Sequence, residues 1–356
     1  MKGQQLAPIM SGLRHSRGIA LVELMISLVL GLVIIGAVTG ILLANNQSFR
    51  TTRALSQIQD SARVGFELMA RDIRQAGNMP CGNDVRVVNI LNPAQENNVP
   101  WYYDWNNAFR GFSADDALPD VDNQIQGTES LILLSGDASG VYVLDYDTNN
   151  NSANFTVATH DGEPHGLQNG DILMVCNEQQ ATIFQMTTGQ GNAANKLVVN
   201  TGNKQEPGNC TKGLGEIIEG NGNQLCNVNG NRGPYTHNSV IASFGASAWY
   251  IGDNGREGDG GRSLYMARLG NTSGSASINQ IEIAAGVTDM TLRYRLKDTA
   301  DFLDASAVGS NWADVNAVEV TLQLFTEATN ISTEAADDGR IGRSFTSIIA
   351  IRNRSL

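Results

Sequence analysis

One carboxylate in this sequence stands where a carboxylate is costly. Glu23 is the only ionisable side chain among the 26 residues from Ile19 to Ala44, and a charge at the centre of a membrane helix costs at least ~2.5 kcal/mol. Such a group is expected to be paired, neutralised or held near the interface. A partner exists if the chain is cut after Gly18. Cleavage there frees the amine of Ile19, whose ordinary pKa is about 7.7 to 8.0, and makes Glu23 the fifth residue of the product. Within one helix the two groups are separated by about 6 Å of rise, whereas in a staggered bundle the amine of one copy meets the acid of its neighbour. A cation and an anion inside an apolar interface set register, because any other stagger leaves both unpaired.

The element that must carry this pair is the apolar run itself. Its 26 residues would form a helix of about 39 Å, enough to cross a hydrocarbon core of about 30 Å with some tilt. Beyond Ala44 the pattern changes but the helix is expected to continue. Leu55, Ile58, Ala62, Phe66, Met69, Ile73 and Ala76 recur at three- and four-residue steps, the stripe of an amphipathic helix. Arg63, Glu67 and Arg71 stand on the opposite face at i,i+4 spacing. No proline interrupts Ile19 to Met79, and Gly77 and Asn78 followed by Pro80 form a stop signal. The spine over 19–77 is therefore expected to be about 87 Å long. Its first half would face lipid or other helices, and its second half offers one face to a head. Gly31, Gly36 and Gly40 lie in the apolar half, where they suit close helix approach or simply reflect the frequency of glycine in membrane helices.

Arg17 and Gly18 followed by Ile19-Ala20-Leu21-Val22-Glu23-Leu24 resemble the class III signal of type IV pilins and pseudopilins. The resemblance assigns Gly18 as the cleavage glycine, Ile19 as the residue that is N-methylated after cleavage by a prepilin peptidase, and Glu23 as the fifth-position glutamate that pairs subunits in the filament. Ile19 departs mildly from the Phe usual at the first position. The segment Glu67-Leu68-Met69-Ala70-Arg71-Asp72-Ile73-Arg74-Gln75-Ala76-Gly77, close before Cys81-Gly82, is similar to the end of the spine in PilW-type minor pilins. Further stretches match in order: Gly127 to Leu131, Gly170 to Cys176, Trp249 to Gly252, Gly286 to Met290 leading to Tyr294, and Arg343 to Ser347. The family implies a structural subunit that starts or caps pilus assembly. Its partners would be other minor and major pilins, the inner-membrane assembly platform and a tip adhesin. The alternatives are a minor pseudopilin of a type II secretion system and a membrane-anchored periplasmic module that binds or cleaves carbohydrate.

The composition bears on this. Formal net charge is −12; removing residues 1–18 takes away Lys2, Arg14 and Arg17 and no acids, leaving 21 basic against 36 acidic residues, a net of −15. Nucleic-acid binding requires a basic footprint, so it is excluded as an expectation. The basic leader would stay cytoplasmic, placing the body in the periplasm and later on the cell surface. Thirty-eight glycines and many asparagines indicate a turn-rich, β-rich body. The expected fold class is α+β. A leader (1–18) and spine (19–77, with 19–44 transmembrane) precede a β-rich insertion (78–245) and a C-terminal antiparallel sheet (246–356) packed on the spine. Four strands are expected in that sheet: Gln280 to Ala284, Met290 to Leu296, Ala317 to Phe325 and Ser344 to Arg352. Val318, Val320, Leu322 and Leu324 alternate with polar residues, so that strand should bury one face against the Leu55–Ala76 stripe.

Four cysteines in a translocated body fit an oxidising compartment, and three pairings are open to them. Cys210 with Cys226 closes a short Gly- and Asn-rich loop, which leaves Cys81 with Cys176 to tie the helix exit to the insertion. Asp145 to Asn151 begins like a calcium loop but lacks the turn glycine and closing glutamate. His160, Asp161, Glu163 and His165 sit in a turn, and Gly252 to Gly261 reads as a hairpin loop. Trp101, Tyr102, Tyr103, Trp105, Phe109 and Phe112 either fill a core beneath a loop or form a docking surface. No nucleophile elbow, metalloprotease helix, P-loop or dinucleotide fingerprint is present. Neither a metal nor a cofactor is expected, and the chain reads as a non-enzymatic one.

Overall fold

The computed structural model describes residues 19–82, 85–92, 99–147, 153–159, 165–187, 195–202, 205–217, 227–332 and 336–354. The chain divides at Ala54/Leu55 into two compact units. From Ile19 the first is helical throughout, and its large apolar side chains, from Leu21 to Phe49, are exposed. The helix, α1 (Ile19–Gln75), is 57 residues long, close to the length the sequence pattern predicts.

In the second unit the amphipathic stripe of α1 is seated in a core. Ile58, Ala62, Met69, Ile73 and Ala76 are buried, and full burial of a side chain such as Ile73 or Met69 contributes about 1.5 to 3 kcal/mol. On the opposite face Arg63 and Glu67 form an exposed i,i+4 ion pair at 2.8 Å. Such pairs contribute only about 0.3 to 0.5 kcal/mol, so the buried stripe holds the helix in place.

The strands are β1 (Arg86–Asn89), β2 (Phe109–Phe112), β3 (Ser130–Asp147), β4 (Ala153–Thr159), β5 (Ile172–Cys176), β6 (Gln180–Gln185), β7 (Lys196–Val199), β8 (Val240–Asp253), β9 (Arg262–Thr272), β10 (Ser275–Ala285), β11 (Val287–Leu296), β12 (Phe302–Leu303), β13 (Val315–Phe325) and β14 (Gly342–Ala350). They make two sheets. The larger runs β1-β6-β5-β8-β3-β4-β7, with β2 on β3 and the β9–β10 hairpin on β8. Among the described residues only β1 with β6 is parallel. The smaller runs β12-β11-β13-β14, antiparallel throughout. Strand β5 is buried at every position, as its unbroken apolar run requires, whereas β13 alternates buried and half-buried residues and packs Val318, Val320, Leu322 and Leu324 into the same core as the α1 stripe.

The C-terminal sheet differs from the expectation in one member. Gln280 to Ala284 lies in β10, which pairs with β9 in the larger sheet, and the fourth strand of the smaller sheet is the short β12. The reason is local. Ser273 and Gly274 both have positive φ, 55° and 92°, and connect Thr272 directly to its partner Ser275. A two-residue turn of this kind has the twist of a tight hairpin, so β10 folds back on β9 before any distant strand can capture it. The 245/246 boundary falls inside β8.

Residues 76–78 terminate α1 in the expected place. Gly77 adopts φ +68°, the left-handed C-terminal cap; its N–H donates to the Leu134 carbonyl at 2.7 Å, and the Asn78 carbonyl accepts from Gly136 N–H at 2.8 Å. Strand β3 thus takes up the end of the helix. Four residues on, Cys81 is disulfide-bonded to Cys176 at the end of β5, with Cα atoms 5.9 Å apart.

A tight contact between distant segments supports the smaller sheet. Tyr294 on β11 is fully buried, stacks edge-on against Trp312 at 4.9 Å between centroids and against Phe109 at 6.1 Å, and its hydroxyl lies against Gly111, where any Cβ would overlap the phenol. Among the described residues the hydroxyl has no hydrogen-bond partner. Gly111→Ala should therefore destabilise the protein by about 3 kcal/mol. Tyr294→Phe should be neutral or stabilising, because it removes an unpaired buried polar atom. The double substitution should recover part of the loss, as read from urea unfolding midpoints. A Gly111→Ala protein as stable as the wild type would contradict this packing.

Candidate assembly surface

Glu23 lies on the exposed surface of α1 among exposed Leu21, Val22, Leu24, Met25 and Ile26. Its backbone carbonyl accepts the Ser27 hydroxyl at 2.7 Å, and Thr39 does the same to Ile35 at 2.8 Å. Both hydroxyls are thus satisfied within the helix, which suits a surface that meets hydrocarbon or other helices. Among the described residues, and apart from the adjoining backbone of the helix itself, no atom lies within 4 Å of where a Cβ would stand on Gly31, Gly36 or Gly40, so those positions are open to close approach. Among the described residues α1 is one helix long and apolar enough to cross a membrane. Ile19 is its first residue; Gly18 lies outside the described residues.

The expected pairing Cys81–Cys176 is present. Cys210 is disulfide-bonded, and Cys226 lies outside the described residues. So do Thr148 to Asn151 of the calcium-like stretch and His160, Asp161 and Glu163. Among the described residues no group of three or more His, Cys, Asp or Glu is placed to hold a metal ion. The aromatic residues fill cores: Trp101 and Tyr103 are buried in one apolar cluster, against which Tyr102, Trp105 and Phe112 pack, and Phe109 is buried in the core that seats the α1 stripe. Gly252 to Gly261 links β8 to β9, as a hairpin loop should.

No protein-family model matches the chain, and no curated protein matches it.

Two carboxylates that sequence patterns did not single out as sites attach the long elements to one another. Asp72, in the last turn of α1, accepts hydrogen bonds from Ser247 Oγ at 3.1 Å and Trp249 Nε1 at 3.0 Å, both on β8. Glu129 accepts the Leu292 N–H of β11 at 2.5 Å. Burial raises the Asp72 carboxyl above the ordinary range, against the opposing pull of Trp249, Ser247, Arg268 and Arg71, and burial likewise raises Glu129 against the Leu292 N–H. The one available sequence signal was an acid one step from the apolar stripe, at Asp72 beside Ile73.

The sign of the pH effect follows from the raised pKa. A carboxyl that is harder to ionise in the folded protein holds its proton longer there, so stability falls as pH rises from the unfolded pKa through the folded one, and is flat above it. Asp72→Asn should remove that component of the pH dependence while keeping an acceptor for Trp249. Asp72→Ala should cost about 1 to 3 kcal/mol by stranding the indole N–H and the Ser247 hydroxyl. Chemical unfolding of the full chain in detergent at a series of pH values measures both. An Asp72→Asn protein with the wild-type slope would remove Asp72 from this role.

Proposed function

We propose that this chain is a minor type IV pilin of the PilW type, a non-enzymatic subunit that helps start or cap a pilus. One observation carries the proposal. A single helix exposes an uninterrupted apolar surface with one acid, Glu23, near its start, while the stripe from Ile58 to Ala76 is buried against antiparallel strands. An exposed apolar surface of that extent is stable only in a bilayer or in a bundle of like helices. The chain would occupy both in turn. It first sits in the inner membrane with its body in the periplasm. After prepilin peptidase cuts behind Gly18, the helix moves into the fibre core, where Glu23 pairs with the amine of a neighbouring subunit. The partners are other minor and major pilins, the assembly platform and a tip adhesin.

The experiment is the intact mass of the protein recovered from sheared pili. The expected species begins at N-methylated Ile19. A chain that keeps residues 1–18, or that is confined to membranes and absent from the fibres, overturns the proposal.

A further inference from the structure

We infer that the cavity beside β1, lined by Arg86, Tyr103, Asp104, Trp105, Asn106 and Glu216, is a binding site for a neutral sugar of one or two pyranose rings. Its volume is about 290 Å³, at the lower end of the range for small-molecule sites, about 300 to 1,000 Å³. Three stretches far apart in sequence build it: β1, the 3-10 turns Trp101–Tyr103 and Trp105–Asn107, and residues 216–217. The turns are fixed before any ligand arrives. Asp104 caps the second of them, accepting from Asn106 N–H at 3.2 Å and from Asn107 Nδ2 at 2.5 Å. The Tyr103 carbonyl accepts from Asn89 Nδ2 of β1 at 2.7 Å, and Trp101 Nε1 donates to the Pro119 carbonyl at 3.1 Å. A wall held in this way costs little ordering when it is filled.

The hydrogen-bonding groups that the wall leaves unused decide the ligand. Trp105 is half-buried, its ring 6.1 Å from that of Phe244, and among the described residues its indole N–H has no partner. The same holds for the side-chain amide of Asn106, which is exposed. Arg86 Nη2 donates to Glu216 Oε1 at 2.6 Å, with the two side chains 61% and 60% exposed. The rest of the guanidinium fork and Glu216 Oε2 remain available, and each Asp104 oxygen keeps a lone pair. Donors from Arg86, Trp105 and Asn106 therefore stand with acceptors from Asp104, Asn106 and Glu216 around one cavity that also contains an aromatic ring.

A sugar matches this set. Each of its hydroxyls both donates and accepts, so adjacent hydroxyls need donors and acceptors side by side, and the C–H face of a pyranose ring needs an apolar, amphipathic partner such as an indole. Charged ligands match less well. An anion would meet the carboxylates of Asp104 and Glu216. A zwitterion such as a free amino acid would call on Arg86 and Glu216 as separate charges, whereas each already neutralises the other. A neutral polyhydroxylated ligand uses every open group and requires no counter-charge. Binding here does not depend on whether the chain enters a pilus.

The test uses the full chain in a detergent that has no sugar headgroup. The methyl glycosides of glucose, galactose, mannose and N-acetylglucosamine are each titrated to about 50 mM, enough to fill a site with a Kd of about 1 mM. At least one should move the indole N–H resonance of Trp105 saturably, the signal being assigned by its loss in Trp105→Phe. The indole signals of Trp249 and Trp312, which are buried elsewhere in the core, should stay in place. Asn106→Ala alters an exposed side chain, so the unfolding midpoint should stay near the wild-type value. Its Kd for the same glycoside should rise about fivefold, the weight of one neutral hydrogen bond. No movement with any of the four glycosides, an unchanged Kd in Asn106→Ala, or movement by glycine or sodium glutamate in place of the sugars overturns the inference.

Discussion

On the proposed pilin function, replacing Glu23 with alanine should leave the chain inserted and cut after Gly18, yet reduce its incorporation into filaments by a hundredfold or more. Removing one member of a buried ion pair strands the other, at a cost of about 3 to 5 kcal/mol, and each 1.4 kcal/mol is about tenfold in an equilibrium. Neither insertion nor cleavage needs the pair. Glu23 lies near the start of the apolar run, where a membrane-inserted helix would hold it within reach of the interface, and alanine only makes the span more apolar. Glu23→Gln should fail almost as badly, since it keeps shape and hydrogen bonding but not charge. The measurement is the ratio of processed protein in membranes to that in sheared fibres. Wild-type filament content in Glu23→Ala would refute the pairing role while leaving the membrane helix untouched.

The largest loss of stability should follow removal of the Cys81–Cys176 bond. The two cysteines are 95 residues apart, and closing a loop of that size restricts the unfolded chain by up to about 4 to 5 kcal/mol, with 2 to 4 kcal/mol typical of measured cases. The bond joins the segment just past α1 to the last residue of β5, which pairs with β8 and β6. Its loss should therefore loosen the attachment of the helix end as well as the sheet. Alanine at both positions is the appropriate replacement, because Cys176 is fully buried and serine would bury a hydroxyl there. Unfolding of the double variant in urea should move to lower denaturant by an amount worth about 2 to 4 kcal/mol. Reduction of the wild type, which also opens the bond at Cys210, should shift the midpoint at least as far. A midpoint unchanged in the variant would mean that non-covalent packing around Met79, Met174 and Ala181 holds this junction alone.

How far the sequence could be read depended on how local the information was. The spine was legible from Ile19 to its stop because a helix writes its buried face at three- and four-residue intervals and its end as Gly77 and Pro80. The burial of Val318, Val320, Leu322 and Leu324 was legible for the same reason at a period of two. The assignment of Gln280 to Ala284 to the wrong sheet shows the limit. Alternation marked a strand, but the partner was decided by the Ser273-Gly274 turn, one short signal set against the attraction of four neighbouring strands.

Asp72, Glu129 and the Gly111–Tyr294 contact lay beyond that limit. Each joins groups more than 160 residues apart in sequence, and nothing in the residues around either partner specifies the other. The sequence by itself determined the long helix, its exposed apolar half with Glu23, its seated half, and a β-rich body closed by disulfides. Only the tertiary structure decided which strands share a sheet and which carboxylates join the long elements, Asp72 to β8 and Glu129 to β11. Element type and buried face are set by neighbours along the chain, whereas pairing and register are set by whichever distant backbone arrives to satisfy the open hydrogen bonds.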